Sequence, residues 1–486
     1  MRAKLFTLLA ALLIAAGATA QTTVATMKTT AETITIRVSW TGGGAITANG
    51  VSMTSGITHH ITPTTGGVVT LTATGGAQLT SLSCFDNFLT ELDVTNCPAL
   101  MELSCGFNSL AELDVTNCSA LTYLYCSWNS ITELDVTNCP ALTYLSCYGN
   151  SLTELDVTNC PALAYLFCDS NSLTELDVTG CPALTSLNCD SNSLAELDVT
   201  NCTELLGLSC GSNSLTSLDV TNCSALMELG CSWNSITELD VTNCPALAEL
   251  RCFGNPLTEL DVTNCPALTV LYCFGNPLTE LDVTNCPALR DLACFDNPLT
   301  ELDVTNCPAL AELRCYNNSL TELDVSNCTK LEYLYADNQQ IEVEALKNVA
   351  TFVNPILYKN QTGVEPVTIN GQQYAQGAKV RIPASGEVEF TTAETVYGKP
   401  FSGTITIKRV DRVAVDETGT EALAVYSTPN GIVVSGVPAG EIIAVYSGNG
   451  VQVASAIAQE GVTFISLSAQ GIYIVKVGTQ TVKVVR

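Results

Sequence analysis

A single 21-residue unit recurs along most of this 486-residue chain, and no other feature limits its fold so tightly. Leu79, Leu100, Leu121, Leu142, Leu163, Leu184, Leu205, Leu226, Leu247, Leu268, Leu289, Leu310 and Leu331 open thirteen copies in turn. Written from Leu142, the unit reads LTYLSCYGNSLTELDVTNCPA. Leu142, Leu145 and Cys147 have the spacing of a short strand with one buried face, and Leu152, Leu155 and Val157 supply a second apolar edge. One coil fixes its backbone at about 1 to 2 kcal/mol per residue, while about seven inward side chains return about 1.5 to 3 kcal/mol each. A lone coil therefore cannot fold, and stacking at about 4.8 Å completes the burial. Thirteen coils predict a mainly β solenoid on the order of 60 Å long.

The unit resembles the leucine-rich-repeat signature LxxLxLxxNxL, with Cys147 at the third apolar position. That resemblance implies a leucine-rich-repeat solenoid, here spanning 78–341 and flanked by small β domains. Asn150 and its equivalents from Asn87 to Asn318 stand where the chain leaves the strand. A buried amide there can bond the backbone of adjacent turns, which makes the column structural. Pro140, Pro161 and their equivalents follow the second Cys of the unit, at a corner that needs no ladder donor.

All 24 cysteines lie in two columns of the repeat, Cys84 to Cys315 and Cys97 to Cys328. An even count in an exported protein points toward disulfides. Stacked neighbours such as Cys126 and Cys147, however, would hold parallel Cβ vectors about 4.8 Å apart, wider than the roughly 3.8 Å a bridge prefers. Free, buried thiols are expected. With no CxxC pair and no histidine in the repeats, neither a zinc site nor a Cys-His nucleophile has its ingredients. The carboxylates Glu154 and Asp156 recur along the repeats, as in Glu91 and Asp93 or Glu280 and Asp282. A row of calcium sites is one reading. The preferred one is a turn in which Asp accepts bonds from the Val-Thr-Asn that follows it.

Variation falls on the outward strand positions, and aromatic residues gather there. Tyr123, Tyr125, Trp128, Tyr144, Tyr148, Tyr165 and Phe167 form an early group. Phe253, Tyr272, Phe274 and Phe295 form a later one, with Tyr316, Tyr333 and Tyr335 near the end of the repeats. A polar stretch around Asn188, Asp190 and Ser209 separates them. Flat exposed rings anchor protein partners and stack on sugars; the alternative is that they stack on one another along the ladder.

Forty-eight acidic against 19 basic residues give a net charge of −29, which repels phosphate backbones, so nucleic acid is not an expected partner. Residues 1–20 read as a signal peptide: Arg2 and Lys4, an apolar run from Leu5 to Ala16, and Ala18-Thr19-Ala20 as a cleavage site before Gln21. No Cys stands near that site to take a lipid, and no later apolar run is long enough to span a bilayer.

The segment 21–77 is Thr- and Gly-rich with alternating stretches at Thr33 to Val38 and Val68 to Thr72, and reads as a β cap on the first coil. His59 and His60, the chain's two histidines, are expected in a solvated loop there. At the other end Ala336, Gln339 and Ile341 replace the Cys, Asn and Leu of the unit, and a short helical piece is expected from Glu342 to Val349. A small β-sandwich is expected over 342–411, with turns at Asn370-Gly371 and Ser385-Gly386. The segment 412–486 ends in GIYIVKVGTQTVKVVR after VYSGNG and resembles the C-terminal sorting domain of the bacterial type IX secretion system, although Pro429-Asn430 stands where an Asn-Pro pair is frequent. The resemblance implies passage through the type IX machinery to the outer surface of a Gram-negative bacterium.

Taken together, these features point to an exported, surface-attached binding or adhesion protein with a protein or glycan ligand; a structural surface-coat component is the alternative. An enzyme lacks its ingredients: there is no Gly-rich phosphate loop, no Gly-x-Ser-x-Gly and no His-containing metal motif. No cofactor is expected.

Overall fold

A computed structural model describes residues 21–346, 351–360, 363–381, 385–392, 397–410, 424–428, 431–435, 437–448, 450–459, 462–467, 472–477 and 480–485. The expected leader, Ala20 of its cleavage site and Pro429-Asn430 lie outside them, while Gln21 is the first residue described. The described residues are all strand, turn and coil, with no helix among them. The chain divides into two compact units, Met1–Leu184 with Asn188–Ser193, and Thr185–Leu187 with Leu194–Arg486.

In the first unit the repeat winds as a β-solenoid. Gln78–Ser83, Glu102–Ser104, Tyr123–Tyr125, Tyr144–Ser146 and Tyr165–Phe167 pair in parallel, with Ser81, Glu102, Tyr123, Tyr144 and Tyr165 side by side. A register step of 21 residues keeps every leucine over its equivalent, so the same positions are buried in each coil. Leu142, Leu145, Cys147, Leu152, Val157 and Cys160 are all fully buried. The strand pairing that a first coil would otherwise lack comes from upstream: Ile34–Thr41 pairs antiparallel with Gln78–Ser83, and Thr22–Thr29 with Leu89–Asp93. His59 and His60 do not lie in a loop as expected. They belong to strand Thr58–Ile61, facing Ile36 and Thr35 across an antiparallel ladder, and His59 Nε2 accepts the Thr54 N–H at 2.9 Å. Pairing with a distant strand, invisible in the local Thr-His-His-Ile sequence, decided that placement.

The second unit is wound in the same way. Gly207–Ser209, Glu228–Gly230, Glu249–Arg251, Val270–Tyr272, Asp291–Ala293, Glu312–Arg314 and Tyr333–Tyr335 form a parallel ladder. The expected helix from Glu342 is instead strand Gln339–Leu346, running parallel to Ser402–Val410 over eight residue pairs; residues 347–349 of that expectation lie outside the description. The local sequence Ile-Glu-Val-Glu-Ala alternates apolar and acidic residues, and cross-strand pairing outweighs its weak helical propensity. The sheet goes on through Glu387–Thr392 and Val367–Ile369 to Gln372–Tyr374. Its last hairpin turns on Asn370 and Gly371, both left-handed at φ 50° and 79°, as a two-residue type I′ turn requires. Leu357–Asn360 pairs in parallel with Glu322–Asp324 of a coil, and Tyr397–Lys399 with Tyr333–Tyr335. Further on stand a three-stranded sheet (Ala424–Thr428, Gly431–Ser435, Val462–Ser466) and a four-stranded one (Gln452–Ile457, Ile442–Ser447, Ile472–Val477, Gln480–Val485), which share an apolar core around Ile432, Ile443, Val445 and Val475.

Candidate functional site

Three columns of the repeat build the outer strand face, and what holds them still is the asparagine column behind. Asn150 Nδ2 donates to the Cys126 carbonyl of the preceding coil at 3.1 Å and to the Cys147 carbonyl of its own coil at 2.9 Å, while its Oδ1 accepts the Ile131 N–H at 3.0 Å. The pattern repeats down to Asn318. At the first coil, which has no predecessor, Asn87 turns to the upstream strand, donating to the Thr35 carbonyl at 2.7 Å and accepting the Thr35 N–H at 2.6 Å. At the far end Gln339 takes over the role, donating to Cys315 and accepting the Leu320 N–H at 3.0 Å. What read in the sequence as decay at Gln339 is one more rung of the ladder.

The cysteines form the interior of each coil. All 24 are buried and free, and burial lifts the thiols of Cys84 and Cys126 to about 12 and that of Cys160 to about 11. The second column also donates weakly to carbonyls one coil back, as Cys181 Sγ does to Val157 at 3.3 Å, and Cys97 reaches Val24 of the upstream strand at 2.9 Å. On the outer edge, Asp156 Oδ1 accepts both the N–H of Thr158 at 3.0 Å and its hydroxyl at 2.6 Å, and these bonds hold the carboxyl below its ordinary range. The same turn recurs at Asp93, Asp198 and Asp261, which makes the acidic column a row of turns. Among the described residues no group of three or more His, Cys, Asp or Glu is placed to hold a metal ion.

A hydrogen-bonded side-chain amide, buried or half-buried, at one fixed position of the 21-residue coil, behind a parallel strand with leucines inward, decides the architecture. The chain belongs to the leucine-rich-repeat family. The chain is similar to the functional domain of InlJ from Listeria monocytogenes, which includes a cysteine ladder, at 31% identity over 68% of this chain and 90% of that one, with a TM-score of 0.48. A leucine-rich-repeat protein of Leptospira interrogans is similar at 24% identity over 52% and 76%, TM-score 0.44. An internalin, InlF of Listeria monocytogenes, is similar at 21% over 53% and 80%, TM-score 0.48. No protein-family model matches the chain, and no curated protein does either.

On the solenoid's outer face, the first unit brings its named rings together. Tyr123 and Tyr144 stack at 4.5 Å, Tyr144 meets Tyr165 at 6.1 Å and Phe167 at 5.7 Å, and Trp128 and Tyr125 both stand edge-on to Tyr148. Trp128 is 50% exposed and Tyr165 46%. In the second unit Phe253, Phe274, Phe295 and Tyr316 form a continuous near-parallel stack with centroids 4.2 to 4.4 Å apart. Tyr272 stands apart from that stack. Its hydroxyl donates to Asp291 at 2.7 Å and its ring lies beneath the guanidiniums of Arg251 and Arg314; burial first, and then the bond to Asp291, raise its phenol pKa. Arg251 pairs with Glu249, and Arg314 with Glu312 at 2.6 Å. Tyr333 is exposed beyond these, and Tyr335 is half-buried. In the polar interval of the first unit, burial first and then the neighbouring Asp190 lift the Asp169 carboxyl to about 6, against the backbone bond it accepts.

Three rings escaped the sequence reading. Phe85 and Phe107 contact each other at 5.1 Å and join the first group through Tyr125 and Trp128, and Trp233 stands edge-on to Phe253 at 5.9 Å. Their signal was in the columns: Phe85 follows its Cys by one residue as Phe253 does, and Phe107 and Trp233 follow theirs by two as Trp128 does.

Proposed function

We propose that the chain is an exported, surface-attached binding protein whose outer strand face holds a protein or glycan ligand. The observation that carries this reading is the exposure of large rings on a scaffold that cannot move out of register. Trp128, Tyr165, Tyr333 (44%) and Trp233 (61%) project from coils whose backbones are tied together by the asparagine ladder. Rigid aromatic side chains present large contact area with little entropy to lose on binding. The leader-like segment 1–20 and the C-terminal resemblance at 412–486 support export through the type IX machinery, with 21–77 serving as the cap and 342–411 as a β segment between solenoid and sorting domain. Among the described residues no helix is long and apolar enough to cross a membrane.

Binding of the full chain to immobilised extracellular-matrix proteins and to a glycan panel tests the reading, with a Tyr123→Ala, Tyr144→Ala, Tyr165→Ala triple variant as comparison. Loss of binding in the variant supports it. The second reading, a surface-coat component without a specific ligand, is favoured by the self-stacking of Phe253 through Tyr316. Binding that survives the triple substitution speaks for that second reading.

A further inference from the structure

A cleft of about 790 Å³ opens in the second unit where the aromatic stack ends. One wall is the turn side of the last coils, with Tyr316, Asn317, Asp337 and Asn338; the other is the sheet that follows, with Glu389 and Thr404. Its volume falls within the range of about 300 to 1,000 Å³ of small-molecule sites. The wall carries aliphatic hydroxyls, side-chain amides, two carboxylates, Tyr316 and Phe390, and no Lys or Arg. A phosphate or carboxylate ligand would meet only negative charge there. An apolar ligand would take water from the polar wall without returning hydrogen bonds to it, at a penalty. A neutral polyol satisfies them, because hydroxyls and amides both donate and accept, while a flat ring offers its face to the C–H side of a sugar.

The polar groups are also positioned in advance. Side-chain amides run in a chain along the left-handed turn column, Asn317 Nδ2 donating to Asp296, Asn338 Nδ2 to Asn317, and Gln340 Nε2 to Asn338 Oδ1 at 2.9 Å. Tyr316 is fixed in turn by its stacking on Phe295 at 4.4 Å. We propose that this cleft binds a neutral oligosaccharide, with Tyr316 as the platform for a sugar ring and Asn338, Asp337 and Glu389 as hydrogen-bonding partners of its hydroxyls. The site is separate from the strand face of the first unit, and either can fail without the other.

Saturation-transfer difference NMR on the full chain, with cellohexaose, laminarihexaose, mannohexaose and chitohexaose as probes, tests the assignment. Transfer to at least one of them is expected. Tyr316→Ala and, separately, Asn338→Gly are each expected to weaken that binding about tenfold. Asn338→Gly removes the amide while keeping the backbone at φ 58° free of strain, so it guards against a folding defect in the other variant. Glu154→Gln, an exposed position on the acidic edge of the first unit and outside both faces, should leave the binding unchanged. No transfer to any of the four sugars, transfer indifferent to both cleft variants, or displacement of the sugar by a lysine-rich peptide at equal concentration would each overturn the proposal.

Discussion

Trp233 lies over Gly254, one coil further along, so closely that a Cβ added to the glycine would stand 2.7 Å from the indole ring. Both residues hold left-handed backbones, at φ 54° and 67°. Trp128 and Gly149 repeat the arrangement with a looser fit, the added Cβ at 3.1 Å. A tryptophan in the turn column therefore requires a glycine at the equivalent position of the next coil, which is a pairing rule written across 21 residues.

Gly254→Ala is expected to destabilise the chain by about 1 to 3 kcal/mol, combining left-handed strain with displacement of the ring. Gly275→Ala, which meets only backbone at 3.7 Å and beyond, carries the strain alone and should cost less. Urea unfolding of the two variants would show whether the ring contact adds anything; equal losses would refute the pairing rule.

Asn255→Ala should be among the more damaging single changes. It leaves the Cys231 and Cys252 carbonyls and the Ile236 N–H without the bonds they now make to the side chain, all in a buried site. At about 1 to 3 kcal/mol for each buried group left unpaired, a loss of about 3 kcal/mol or more is expected. Equilibrium unfolding measures it, and a loss under about 1 kcal/mol would mean that water replaces the amide.

The thiols should be unreactive until the solenoid opens. Alkylation of the native chain followed by mass spectrometry is expected to modify almost none, and the same reaction in denaturant all 24. A denatured chain with most sulfurs already oxidised would contradict the buried thiol columns.

Alkaline pH should weaken the fold. Burial raises the folded thiol pKa, to about 12 at Cys84, above the unfolded value of about 8.5. The unfolded chain then binds fewer protons, so stability is fully present below about pH 8.5 and falls as pH rises toward the folded values. The Asp156, Asp198 and Asp219 carboxyls, depressed by their threonine bonds, act in the opposite direction, their contribution present at neutral pH and lost as acid protonates them. Thermal melts from about pH 2 to 11 should peak between these limits; a melting temperature still rising at about pH 10 would show that the thiols are not buried in the native state.

Most of the solenoid was legible in the sequence, because a period of 21 residues with leucine at constant offsets states both which side chains turn inward and which coil neighbours which. Leu145, Cys147 and Val157 are buried where that periodicity put them, and the Asp-Thr turn at Asp156 follows from two residues only two positions apart. What only the tertiary structure decided lies between residues far apart in the chain. Glu342 became strand because Ser402–Val410 runs beside it, His59 and His60 because Ile34–Thr41 does. The rings of Phe253, Phe274, Phe295 and Tyr316 stack each on the next because their coils share one register. Local pattern sets the shape of one coil; the partners a strand end or an exposed ring will find depend on contacts whose energy no local window of sequence contains.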